Sequence, residues 1–402
     1  MFNVLSANPR FGDTRGAMKS LITSPSARRL VRRLLILAAL LGLAGGATAT
    51  PADGSLPSYQ PRFGRSRPIV AIIGENSGTE LTDFAIPYGV LQASGAAEVV
   101  TVSTQPGTLR LRPALVVQPD ATIAEFDRRF PDGADYVIVP AVMKYNDPTL
   151  LAWLTEQGSK GGTLVSICDG AAVVAGTGLM DGHRATAHWA SEKFRRKHFT
   201  QIEWITDVRY VADRQVISTA GISASLPASL ALVEAIAGRD RAQALASDLG
   251  VSDWSPMHVT APFRPKLGVN LKALITANYT NHWFHRTEML GLNLAPGADE
   301  IAFAITADAY SRTGRSMVHA VAISAEPIRS RHGLLIVPDT LAGSAHRLDQ
   351  MLPDLDATPS GQWFAKSIEG IKHLYGPTTA QGVALDFEFP MPANSSPRIV
   401  SK

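Results

Sequence analysis

Cysteine is almost absent from this chain. Cys168 is the only one, so no internal disulfide can form and no C-x-x-C pair exists. A P-loop and a G-x-G-x-x-G turn after a strand are also missing, which removes the two common nucleotide-binding fingerprints. Excess charge is small, with 38 Lys and Arg against 35 Asp and Glu. Much of it sits in Arg28, Arg29, Arg32 and Arg33, which leaves the body near neutral and gives no case for a nucleic-acid partner. The longest apolar run, Leu34 to Leu43, is short of the roughly 20 residues a spanning helix needs.

That run has another reading. It follows the arginine cluster and precedes Ala47-Thr48-Ala49, an A-x-A cleavage pattern. Residues 1–49 are therefore expected to be an N-terminal extension and secretory signal, with Met18 as an alternative start. The mature protein would be periplasmic. The alternative is an uncleaved inner-membrane anchor, giving membrane association through the N-terminus.

A length of 402 residues implies two domains. Residues 50–67 are rich in Pro, Gly and Ser and read as a linker. From residue 68 to 245, strand and helix signals alternate. Apolar strand runs stand at Ile69 to Ile73, Glu98 to Ser103, Asp135 to Val139, Thr163 to Ile167 and Gln215 to Ser218. Helices are expected over Thr79 to Ala93, Ala121 to Phe130, Thr149 to Gln157 and Pro227 to Ala237. Alternation with fully apolar strands points to a parallel sheet covered on both faces. An internal similarity then appears at one constant offset along the chain. Gly78, Phe84, Ala85, Ile86 and Gly95 recur as Gly297, Phe303, Ala304, Ile305 and Gly314, and Arg110, Arg112, Pro119 and Asp120 as Arg329, Arg331, Pro338 and Asp339. Residues 264–402 are expected to be a shorter, degenerate copy without a cysteine, with Ala302 where the first half has Asp83. Its expected use is structural: packing, closing the site, or intramolecular pairing in place of a homodimer partner.

Cys168 stands where a strand run ends and a small-residue helical stretch begins. Open α/β sheets place ligands at that edge, and a following helix favours a thiolate. A buried, inert cysteine would fit the same position. Around it, I-C-D-G at Ile167 to Gly170, T-A-H at Thr186 to His188, the block from Thr82 to Leu91, and Ser218 to Gly238 resemble the DJ-1/PfpI superfamily. The resemblance is nearest the branch of isonitrile hydratases and AraC-type sensor domains. It implies a flavodoxin-like three-layer α/β sandwich with a mostly parallel sheet. It also implies that Asp83 hydrogen-bonds the Cys168 sulfur, that His188 moves protons, and that backbone N–H groups of Asp169 and Val142 form an oxyanion site. Two departures stand out. Pro140-Ala141-Val142 replaces the usual P-G-G, and Asp169 puts a carboxylate beside the thiol, which opposes ionisation.

Other features weigh less. Glu75 and Glu80 are weaker candidates near Asp83. His282, His285 and Glu288 have a spacing that could gather a metal on a helix, but an aromatic packing or interdomain patch around Trp283 and Phe284 is the preferred reading. Arg195, Arg196 and Lys197 read as a solvated face. No basic recognition helix follows the first domain, which argues against transcription regulation. No cofactor or metal is expected. The chain reads as an exported protein with a reactive cysteine, doing hydrolase- or hydratase-type chemistry on a small electrophilic or carbon–nitrogen substrate. The alternative is a non-enzymatic ligand-binding or stress-response module using the same pocket.

Overall fold

The computed structural model describes residues 54–344 and 348–391. The expected signal or anchor lies outside them. The first sheet has seven strands: β1 (Ile69–Gly74), β2 (Glu98–Ser103), β3 (Ala121–Thr122), β4 (Tyr136–Val139), β5 (Thr163–Ser166), β6 (Tyr210–Asp213) and β7 (Val216–Thr219). Their spatial order is β6-β7-β5-β4-β1-β2-β3. Every pairing is parallel except that of the edge strand β6 with β7. β1 and β4 are buried along their whole length, as continuous Val/Ile runs require when helices cover both faces. This is the flavodoxin-like architecture.

One face packs against α1 (Leu81–Ser94) and α3 (Ser225–Ala237), the other against Pro148–Ser159 and α2 (Gly170–Gly176). Of the 14 residues of α1, 12 are buried. A helix enclosed all round shows no amphipathic stripe, because a second layer covers its outer side. The Pro/Gly/Ser-rich linker, where described, is laid along the domain. Tyr59 N–H donates to Ala235 O at 2.8 Å and Arg65 pairs with Asp135 at 2.9 Å.

The second sheet-bearing region supplies that outer layer. Its strands β8 (Glu288–Asn293), β9 (Ser316–Ala322), β10 (Thr340–Leu341) and β11 (Gln350–Met351) form a parallel sheet ordered β10-β9-β8-β11. β8, α4 (Glu300–Ser311) and β10 follow β1, α1 and β3 at the same offset that relates the two sequence blocks. Farther on the offset shrinks, and α5 (Trp363–Tyr375) follows α3 much more closely. In the first region the interval that makes this difference carries the turn around Cys168. A short arm joins the regions: Val116–Gln118 pairs antiparallel with Leu335–Val337, Val117 opposite Ile336. Val117 and Ile336 are themselves equivalent under the constant offset, so the contact is locally two-fold. α1 and α4 cross nearby, and a Cβ at Gly89 would lie 2.5 Å from Ile301 Cγ1. One apolar core runs through both regions.

Gly170 is where the fold is least forgiving. A Cβ there would lie 2.0 Å from the carbonyl oxygen of Val139 and 2.9 Å from Pro140, and backbone cannot step aside as a side chain can. Gly170→Ala is expected to cost about 3 kcal/mol in urea unfolding. Gly176→Ala, whose Cβ would meet Leu151 side-chain atoms at 3.3 and 3.5 Å and the Tyr145 carbonyl oxygen at 4.0 Å, is expected to stay within about 1 kcal/mol of wild type.

Candidate active site

Ile167 N–H still bonds Val139 O at 2.9 Å as β5 ends. Cys168 then takes a φ of 52°, the left-handed region that costs a non-glycine residue about 1–3 kcal/mol. Gly170 N–H closes the turn onto Ile167 O at 2.8 Å. The strand-to-helix elbow thus holds one side chain, the thiol, at the carboxyl edge of the sheet. Cys168 N–H donates to Thr219 Oγ1 at 3.3 Å, which ties the elbow to β7. The residue is only 7% exposed.

Burial pushes the Cys168 thiol well above its ordinary range, and the carboxyl groups of Asp83, Asp169 and Glu80 add to it; the Asp169 N–H, directed at the sulfur, works the other way. Asp83 is the strongest of these neighbours. Its Oδ2 accepts the Ala141 N–H at 3.2 Å, while Oδ1 is buried without a partner. No direct hydrogen bond joins Asp83 to the sulfur, which corrects that expectation: the carboxyl is held by the turn after β4 instead. Burial raises Asp83 to about 8, so near neutral pH it carries a proton.

Asp308 of the second region adds to that retention, while Arg312 opposes it. Arg312, at the end of α4, donates to Glu80, to Asp308 at 2.5 Å and to Asp386 at 2.9 Å. Asp308 also accepts from Thr82 at 3.0 Å. Burial works against the Arg312 charge, but Asp308, Glu80 and Asp386 outweigh it, and the guanidinium stays ionised. Burial raises Glu80 and Asp308 despite Arg312. A single cation cannot keep this many carboxylates ionised away from water.

Of the two oxyanion candidates, Asp169 stands at the elbow and Val142 in the turn after β4. The Asp169 N–H faces the sulfur. Val142 forms a bridge to Thr79 through the groups of its neighbours, Ala141 O and Met143 N–H, leaving the Val142 N–H outside that bridge. The Asp169 side chain is drawn off: its Oδ1 accepts from Ser191 Oγ, which in turn accepts from Arg195 at 2.9 Å. Arg195 corrects the reading of a solvated face. It is 3% exposed, donates to His188 O at 3.0 Å and lies over the Trp204 ring at 4.6 Å. Arg196 does face outward, with its side chain about half exposed.

His188 is buried but turned to another task. Its Nδ1 accepts the Ala190 N–H at 3.3 Å, so Nε2 carries the hydrogen, which it donates to Asp386 O at 2.9 Å. With both ring nitrogens engaged, it is not free to move protons at Cys168, and that expected role is corrected. It instead fastens the second region, together with buried Glu388. Glu388 has a φ of 52°, accepts from His258 at 2.8 Å and from Trp189 N–H at 3.4 Å. Burial opposes its charge, but the hydrogen bond from His258 leads the interactions that outweigh it and hold the carboxyl below the usual carboxylate range. Glu75 is a loop cap, buried and bonded to Ser77 N–H at 3.0 Å. His282 and His285 are exposed while Glu288 begins a strand, and no metal-holding cluster occurs among the described residues.

With this geometry in place, comparison with known proteins is decisive for the first region. The chain matches the DJ-1/PfpI family over residues 69–235. Residues 69–235 form a DJ-1/PfpI domain. The HTH-type transcriptional regulator CdhR of Pseudomonas aeruginosa is 35% identical over 86 residues, 21% of this chain and 25% of that protein. The isonitrile hydratase of Pseudomonas putida is 28% identical over 136 residues, 31% of this chain and 58% of that enzyme. The chain thus spans a quarter and somewhat over half of the curated relatives it matches. Among solved structures, Drosophila melanogaster DJ-1beta aligns over 46% of this chain and all of its own, with 21% identity and a TM-score of 0.42.

Two expectations follow from the DJ-1/PfpI site. Arg195→Ala leaves the Asp169–Ser191 pair without its cation and is expected to cost about 3 kcal/mol in urea unfolding, against under about 0.5 kcal/mol for Arg196→Ala. Folded Asp83 keeps its proton up to about 8, whereas the unfolded chain loses it near 3.8. Its stabilisation is therefore complete below 3.8 and is lost as pH rises through about 8. Asp83→Asn cannot ionise, so its stability relative to wild type is expected to rise across that window, measured as urea midpoints at several pH values.

Proposed function

We propose that this protein is a cysteine-dependent enzyme that adds water to a small electrophilic carbon–nitrogen group, with Cys168 as nucleophile and Asp83 as proton donor and acceptor. The observation that carries the reading is the strained, left-handed Cys168 at the strand-to-helix elbow with the fully buried Asp83 carboxyl, raised by burial to about 8, among its charged neighbours. Strain of this kind persists only where the surroundings enforce it, and it clusters at active sites. A neutral Asp83 does not repel a developing thiolate and has a proton to give.

For an isonitrile, the substrate class named for one relative, the steps balance as follows. The Cys168 sulfur bonds to the terminal carbon as Asp83 gives its proton to that carbon and takes the thiol proton on its other oxygen, giving a thioimidate. Water then adds to that carbon, one water proton passing through Asp83 to the nitrogen. As the carbon–sulfur bond breaks, the remaining hydroxyl proton passes to the sulfur, and an N-substituted formamide leaves with the thiol restored. The Asp169 N–H favours the anionic sulfur at both ends of the cycle.

A second reading is a thiol-bearing ligand sensor. It is favoured by the closed position of Cys168 and by two cavities that it does not line. One experiment separates the two: formamide release from a small alkyl isonitrile by the purified chain. Turnover that falls at least about 100-fold in both Cys168→Ser and Asp83→Asn supports the enzyme. Saturable ligand binding without turnover, unchanged in Cys168→Ser, supports the sensor. We also propose export, on the basic and apolar N-terminal pattern, to be read by N-terminal sequencing of the periplasmic protein.

A further inference from the structure

We infer that the face formed by residues 264–286 docks onto an anionic membrane surface. The segments Leu271–Ile275, Thr276–Thr280 and Asn281–Phe284 make one helical rod, with a π turn in its middle. Its inner side is firmly seated. Ala273, Leu274, Ala277 and Asn281 are buried, Asn281 donates to Thr313 O at 2.7 Å, and a Cβ on Gly382 would lie 2.5 Å from Ala273 O. The outer side is the reverse. Tyr279, Trp283 and Phe284 are 66%, 83% and 76% exposed, and Leu267 and Val269 in the preceding loop are 89% and 72% exposed. Ile275 continues the same side, four residues before Tyr279. The expected packing patch around Trp283 and Phe284 is therefore open. Ile275, Tyr279 and Trp283 thus recur every four residues along one side of a firmly seated rod, an exposed apolar arrangement that marks an interaction site.

Charge identifies the occupant. No Asp or Glu occurs between Asp253 and Glu288. Arg264 and Arg286, at the two ends, are paired with Glu192 at 2.5 Å and Asp349 at 2.7 Å. Lys266 and Lys272 are exposed and make no ion pair among the described residues. Aromatic rings at headgroup depth, aliphatic side chains below them and lysines reaching phosphates is the composition of an interfacial anchor. A two-fold contact with a second copy would set these lysines against one another without a carboxylate to answer them. Single-stranded nucleic acid would use the rings and lysines but leave Leu267, Val269 and Ile275 in water. The surface lies outside the Cys168 site, so the inference stands independently of the proposed chemistry.

Trp283 reports on this directly. Of the six tryptophans, Trp153, Trp204, Trp254 and Trp363 are buried and Trp189 is half-buried. The full chain is mixed with vesicles of phosphatidylglycerol and phosphatidylcholine, with and without brominated acyl chains. The expected result is a blue shift of emission and quenching by bromine, both absent in Trp283→Phe. Lys266→Glu with Lys272→Glu, or high salt, is expected to raise the lipid requirement about 10-fold. Vesicle-bound wild type whose emission matches Trp283→Phe under all conditions overturns the inference, because the N-terminal run alone would then hold the chain. A shift that follows protein concentration without lipid, or that needs an oligonucleotide, overturns it equally.

Discussion

Four carboxyl groups, those of Glu80, Asp83, Asp308 and Asp386, share the field of one guanidinium at the junction of the two regions. Neither Asp83 nor Asp308 is reached by solvent. Burial raises Glu80, Asp83 and Asp308 in spite of that guanidinium, because one cation cannot offset the cost of ionising all three in a medium that screens poorly. Much else in the molecule follows from that constraint. Burial, with Asp308 adding to it against Arg312, keeps Asp83 neutral. The cluster also fastens α1 to α4 and makes the second region part of the site's electrostatics, although among its described residues that region has no elbow of its own.

The second region therefore does more than cover α1. The interval by which the first region exceeds it carries the cysteine turn there, while it has the strands and helices that form the junction. From it come Arg312 and Asp308, the Asp386 carbonyl that takes the His188 hydrogen, and Glu388. Arg195 does a parallel service inside the first region. By holding Ser191 it draws the Asp169 carboxylate aside, which moderates the conflict created by placing an acid next to a nucleophile. Burial still keeps the resting thiol protonated, so the chemistry proposed here requires a proton acceptor in the same step that the sulfur attacks.

The sheet was largely legible in the sequence because its strands are uninterrupted Val/Ile runs between turn residues. The expected run Glu98 to Ser103 matches its strand residue for residue. Helix α1 was legible only through motif, since burial on all sides erases the periodicity that marks a surface helix. The elbow was legible because an apolar strand run ends at Cys168 and a small-residue helical stretch follows. Arg195 was not, because a buried arginine inside Phe-Arg-Arg-Lys looks like any solvated basic run; only its distance in space from Asp169 reveals it. Arg312 left one readable trace: Asp308 stands four residues before it, an i,i+4 ion pair on a helix that is mostly apolar between Ile301 and Ala309. His188 shows the opposite case. Its motif was plain, but what a histidine does depends on which atoms take its two nitrogens.

The central claim is that Asp83 is a neutral acid beside Cys168 at neutral pH. Infrared difference spectroscopy of wild type against Asp83→Asn reads it without relying on turnover or on stability. The account requires a protonated carboxyl band, assigned by its loss in the variant, that is present near neutral pH and disappears on titration through about 8. A wild-type Asp83 band that is already that of a carboxylate near neutral pH, titrating close to the ordinary 3.8, would contradict it.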